Sequence, residues 1–330
     1  MKIQELRERL QASERDNLEK AFAECYKQLR KGQKEEIDPV LVEILEGRAT
    51  EKKKSEKTVD FEELKCQITE FTENAYAQNY FAPNRVVPKS QRPKWRFLVK
   101  NFIKELEKIP LESEDYVNSV KLLSDLYHLM CEGCNYCLFT SDDPFRSIGW
   151  EQPRLFELLV KRTFAAGYTR ESISQMLVYA TSGGLSRESL HIKQELVLLY
   201  GLKTSDVKYI AIEEAKKIVE ENENKLAGMG KYDNKRYYLG ESVNQCCAMI
   251  FLLLIQLAEP GEAMKYYFKH AKYATKETVL YCALDLVNWV DADDLWIEVY
   301  EYGIRKRIRP RESLAAEYEK RKSEVKEERT

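Results

Sequence analysis

Ten consecutive residues, CCAMIFLLLI from Cys246 to Ile255, contain no charged and no amide side chain. A helix built from them is apolar all the way round, so it has to be enclosed rather than covered on one side. Ten residues are too few to cross a bilayer, which needs about 20. The run therefore predicts a core helix, over 238–258, buried by other parts of the protein.

The rest of the chain supplies helices to do the burying. Phe61, Leu64, Ile68, Phe71 and Ala75 recur at alternating +3 and +4 spacing, which places them on one helical face. Trp95, Leu98, Val99, Phe102, Ile103 and Leu106 repeat the pattern directly after Pro93. Side chains able to accept from free helix-start amides precede several segments: Ser13, Thr169, Ser186 and Asp291. Gly (13) and Pro (9) are scarce in 330 residues, so most of the chain belongs to long elements. No run of alternating strands is present. The fold class is all-α: an irregular helical array or α-solenoid of stacked antiparallel helix pairs, with a small N-terminal helical segment.

Expected helices cover 2–11, 14–30 and 38–47, then 58–80, 93–109 and 114–137. From 152 onward they are 152–166, 169–181, 186–200, 204–223, 238–258, 260–273, 275–289, 291–306 and 309–327. RATEKKKSEK, residues 48–57, has nothing to bury and is a charged linker. The organisation read from this is an N-terminal helical segment (1–47), the linker, a helical module with a basic loop (58–150), and a stacked-helix region (151–330). MKIQELRERL has no apolar core, so no secretory signal is expected there. Eight Cys without the spacing of a disulfide framework point to a reduced, cytoplasmic setting.

Charge is distributed unevenly. The net charge is −2, yet no Asp or Glu occurs from Asn74 through Lys104, where seven cations do. Arg85, Lys89 and Arg92 lie on a loop stiffened by Pro83, Pro88 and Pro93; Lys94, Arg96, Lys100 and Lys104 follow, the last three at i, i+4 and i+8. Such a stripe can contact phosphates or grip an acidic protein, with Tyr76, Tyr80 and Phe81 alongside. Pairing with the acidic segment holding Glu112, Glu114 and Asp115 is the structural alternative. A second group, Arg305, Lys306, Arg307, Arg309 and Arg311, spans a helix end, where cations offset the dipole.

HLMCEGCNYC places His128, Cys131, Cys134 and Cys137 three residues apart. These are ligand types for zinc or an iron–sulfur cluster. On a continuous helix each +3 step turns by about 300°, so His128 and Cys137 point to opposite sides. Small buried thiols at a helix interface are the favoured reading, and no metal or other cofactor is expected. GMGK at 228–231 lacks the spacing and the Ser or Thr of a phosphate loop. Residues 159–177 are similar to a helix-turn-helix over about half that motif; Arg162 and Thr163 depart from it, and a helical hairpin explains the rest. No nucleophile–base grouping is found.

The chain reads as a non-enzymatic cytoplasmic helical scaffold that binds another macromolecule, a protein, through charged patches, with no membrane involved. A nucleic-acid-binding protein using 85–104 is the alternative, and a metal-dependent enzyme centred on His128 to Cys137 is the third reading.

Overall fold

The computed structural model describes residues 3–30, scattered positions between 34 and 45, and residues 60–230, 232–290 and 293–328. The expected linker 48–57, most of the expected helix 38–47, Lys231 of GMGK and the expected cap Asp291 lie outside the described residues. Among the described residues there are fifteen α-helices and no strand, so the protein is all-α. The chain forms two compact units, Met1–Val59 and Asp60–Thr330.

In the first unit, α1 (Ile3–Ala12) and α2 (Arg15–Lys27) carry surface pairs such as Arg9–Glu5 and Arg15–Glu19, each contributing little. Ser13 does not cap α2. Its hydroxyl donates back to the Arg9 carbonyl at 2.7 Å, and Glu14 takes the cap position. The Tyr26 hydroxyl donates to Asp38. Helix α2 has no buried residue.

The second unit opens with α3 (Phe61–Tyr76), capped by Asp60, whose carboxylate accepts from the Glu62 amide at 3.1 Å. Its buried face is Phe61, Leu64, Ile68, Phe71 and Ala75, as the spacing predicts. After a 3-10 turn at Arg92–Lys94 comes α4 (Trp95–Glu107), which buries Trp95, Val99, Phe102, Ile103 and Leu106. Both pack on α5 (Tyr116–Asn135). Stacking of Trp95 on Phe139, with ring centroids 4.1 Å apart, and an edge contact between Phe71 and Phe102 close this corner.

A short helix outside the expected spans, α6 (Pro144–Ile148), is capped by Asp143 and leads to α7 (Gln152–Ala165) and α8 (Arg170–Ser182). Thr169 and Ser172 form a reciprocal capping box at the start of α8. The expected helix 186–200 begins later, at α9 (His191–Gly201). Two buried side chains hold residues 183–190 out of helix. The Ser186 amide donates to Gln152 Oε1 at 2.8 Å, and its hydroxyl donates to Asp143 Oδ2 at 2.8 Å. Gly184 passes so close to α5 that a Cβ there would lie 2.1 Å from the Cys131 carbonyl oxygen, so only glycine fits.

The remaining helices are α10 (Ser205–Gly228), α11 (Lys235–Gln256), α12 (Pro260–His270), α13 (Lys276–Asn288), α14 (Asp293–Arg305) and α15 (Glu312–Glu328). Every residue from Cys246 through Leu254 on α11 is buried. Helices α8, α9, α10, α12 and α13 surround it. Successive helices pack in pairs, but α8 also meets α10 and α11, so contacts reach beyond the next neighbour. The second unit shares one hydrophobic core running from Phe61 to Leu314.

Arg162, on α7, ties that helix to the C-terminus of α4 and the start of α5. Its guanidinium donates to the carbonyls of Glu107 at 3.0 Å and Ile109 at 2.8 Å, just past the C-terminus of α4, and stacks on Tyr116 at 4.6 Å. The residue that departs from the helix-turn-helix pattern is thus a cap on another helix. Replacing it leaves the Glu107 and Ile109 carbonyls without that charged donor. Arg162→Ala is expected to lower unfolding free energy by about 2–3 kcal/mol in urea titrations. Arg162→Lys should restore only part of that, because an ammonium does not match two carbonyls as the planar fork does.

Candidate functional site

The acid-free stretch folds into a loop and the exposed face of α4. Its shape comes from two polar residues. The Asn84 carboxamide oxygen accepts from the amides of Val86 at 2.9 Å and Val87 at 2.7 Å, while its nitrogen donates to the Asn79 and Ala82 carbonyls, both at 2.7 Å. Arg92 closes the loop from the other side, donating to Val87 O at 3.1 Å and Asn84 O at 3.0 Å. Val87 is buried and anchors the loop to the core.

Arg92 therefore stands apart from the other six cations. It is half-buried and used up by backbone carbonyls, so it shapes the loop instead of presenting charge. Arg85, Lys89, Lys94, Arg96, Lys100 and Lys104 are all exposed. Among the described residues none of the six reaches a carboxylate within ion-pair distance, and Glu112, Glu114 and Asp115 do not pair with them. The Arg96 guanidinium lies 5.0 Å from the Phe97 ring.

Apolar groups are interleaved with these charges. Val86 is 65% exposed and Phe97 57%, and Phe81 and Leu98 are exposed beside them. Leu98, which shares the +3/+4 spacing of the apolar stripe, faces out of α4, whose buried arc is filled by Trp95, Val99, Phe102, Ile103 and Leu106. Phe97 and Val86 were not singled out in the sequence. The signal for Phe97 was available, since it falls outside the +3/+4 register of its helix.

The second basic group lies where α14 meets α15. Arg305 and Lys306 sit over the Tyr302 ring at 5.7 and 5.3 Å, and Arg311 pairs with Glu277 at 3.5 Å. Part of this group is thus engaged locally, and Arg307 adopts a left-handed φ of 61° that ends the helix.

The His–Cys run does not bring its four side chains together. His128 is exposed, with Nε2 3.6 Å from Glu132, and its ring lies against Tyr179. Cys131 is buried beneath the Gly183–Gly184 segment, 3.6 Å from Gln152 Nε2. Cys134 donates to the Met130 carbonyl, and Cys137 is exposed beyond the end of α5. Among the described residues no three His, Cys, Asp or Glu side chains converge in a way that could hold a metal ion.

Comparison with models of protein families, with curated proteins and with solved structures finds no match to this chain.

Burial governs the thiols. It pushes Cys134 and Cys246 up to about 12 and raises Cys131 and Cys247 as well, so all four stay protonated. Iodoacetamide near pH 8 is expected to modify Cys66 and Cys137 and to spare Cys131, Cys246 and Cys247, read by peptide mass spectrometry. A raised folded-state pKa stabilises below the unfolded value, about 8.5, and is lost above it. Melting temperature should accordingly fall as pH climbs from about 8.5 toward 12.

Proposed function

We propose that this protein is a non-enzymatic, cytoplasmic helical scaffold, and that the surface formed by Arg85, Lys89, Lys94, Arg96, Lys100 and Lys104 binds an acidic protein partner. One observation carries the reading: six exposed cations have no carboxylate partner among the described residues. Exposed intramolecular ion pairs would contribute only about 0–1 kcal/mol each, so stability offers little reason to gather these charges. Their value is highest where a partner desolvates them.

Two further features support a protein as the partner. Val86, Phe97 and Leu98 stand among the cations, and a mixed apolar and cationic surface suits an acidic amphipathic segment. Arg92 and Asn84 hold the loop in one shape, so little conformational entropy is lost on contact. A nucleic acid is the other polyanion such a surface could take, with Phe81 and Phe97 offered to bases.

The test replaces Lys94, Arg96 and Lys100 together with Gln and leaves Arg92 in place. Melting temperature is expected to stay within about 2 °C of wild type, since no native contact of these residues to a carboxylate is lost. Binding to poly-glutamate, followed by fluorescence anisotropy between about 50 and 200 mM salt, should weaken steeply with salt in wild type and fall at least tenfold in the triple variant. Salt-independent or absent binding by wild type sinks the proposal. Tighter binding to single-stranded RNA than to poly-glutamate would move the partner to the nucleic-acid class. Arg92→Gln alone is the contrast: it should loosen the loop, seen as faster amide exchange at Val86 and Val87.

A further inference from the structure

Helix α9 carries two hydrogen-bond acceptors, one turn apart, into the interior of the second unit. Glu195 is fully buried, and neither of its carboxylate oxygens has a hydrogen-bond partner. Burial alone holds its carboxyl well above the usual carboxylate range, which favours the neutral acid. His191 sits four residues earlier, with Nδ1 2.9 Å from the Ala180 carbonyl. A carbonyl only accepts, so Nδ1 bears the proton and Nε2 is left as an acceptor. Burial also pushes the imidazole pKa down and keeps the ring uncharged.

Both residues line a cavity of about 710 Å³ among α9, α11, α13 and α15. Its size is that of a small-molecule site, and helical arrays place such sites between helices. Tyr267, Tyr273 and Tyr281 form much of the wall, and the Tyr267 hydroxyl is buried without a hydrogen bond of normal geometry. No Lys or Arg lines the cavity. The acids on it are Glu195, Asp285 and Glu317, and Glu317 is already held by Arg321 at 3.0 Å. Glu195 at depth and exposed Asp285 are therefore without a cation among the described residues.

We propose that this cavity binds a small organic cation, a protonated amine carried on an apolar or aromatic body, with its N–H donors on the Glu195 carboxylate and His191 Nε2. Three physical reasons lead there. Ionised, Glu195 offers two unpartnered acceptor oxygens beside the His191 Nε2 acceptor, and an ammonium supplies donors only. A positive charge beside Glu195 favours its ionised form and turns a buried, unsatisfied acid into a charge-assisted pair. Tyrosine faces attract cations and cover an apolar body at the same time. An anion would meet only uncharged donors, the tyrosine hydroxyls with Gln245, Asn288 and Ser313, and would face the Asp285 carboxylate. The site shares no residue with the basic surface, so either reading can fail alone.

The experiment titrates the full chain by calorimetry at neutral pH with three amines: phenethylamine, tryptamine and hexylamine. 2-Phenylethanol and 3-phenylpropionate serve as the neutral and anionic counterparts. At least one amine is expected to bind saturably with one site per chain, and neither counterpart should saturate in the same range. Glu195→Gln keeps the shape, removes the charge and should weaken the amine by about tenfold or more. Asp285→Asn, an exposed change, should weaken it by about threefold. The proposal is overturned if none of the three amines binds, if the alcohol binds as tightly as its amine, or if Glu195→Gln binds the amine unchanged. Should the Gln variant not fold, the amine-versus-alcohol comparison and Asp285→Asn still decide.

Discussion

A helix with no outward face dictates the arrangement of the second unit. From Cys246 to Leu254 every residue of α11 is buried, and burying each large apolar side chain contributes about 1.5–3 kcal/mol. Neighbours in sequence, α10 and α12, can cover only part of that circumference. The rest falls to α8, α9 and α13, which arrive from further along the chain. The polar beginning of the same helix extends beyond this enclosure, leaving Tyr237 and Tyr238 exposed. Hydrophobicity decides where the core is, and the limited reach of any one neighbour decides that five helices are needed.

Apolar burial does not by itself choose which helices meet. Buried polar side chains do much of that selecting, because each must find a partner or lose the free energy of its solvation. Asp143 caps α6 and also receives the Ser186 hydroxyl and the Arg187 amide. Gln152 accepts from the Ser186 amide and donates to the Gly184 carbonyl at 2.9 Å. Between them they fix a segment that has no helix of its own against α5 and α7. Arg162 does the same for the C-terminus of α4. These few contacts make residues 60–150 and the later helices parts of one core.

Against that background the departures from full satisfaction stand out. Six cations remain on a partly apolar surface with no carboxylate within ion-pair distance among the described residues, and Glu195 lies buried with both oxygens unpaired. Neither is what fold stability alone would select, since a leucine at 195 or a neutral residue at 96 would cost the core nothing. The first lies at the surface, where the proposed acidic protein would meet it. The second lies at depth, where the proposed amine would bind.

Much of the fold was legible in the sequence. The inward faces of α3 and α4, the Thr169 cap and the enclosure of the Cys246–Ile255 run follow from residue spacing, because helical periodicity is a local property set by backbone geometry. The cationic stretch was visible for the same reason: it is contiguous. What spacing could not reveal was any role that depends on a distant partner. Ser186 looked like a cap until Asp143 and Gln152 took its hydroxyl and amide. Arg92 looked like one more surface cation until two carbonyls of its own loop claimed it. Glu195, in the apolar register of α9 with Ile192, Leu198 and Leu199, gave a hint of burial, but nothing in the sequence placed it beside three tyrosines from other segments. Sequence alone determined most of the helices and most of the face each one buries. Tertiary structure decided which polar groups found partners and which were left with none, because that depends on contacts between residues tens of positions apart.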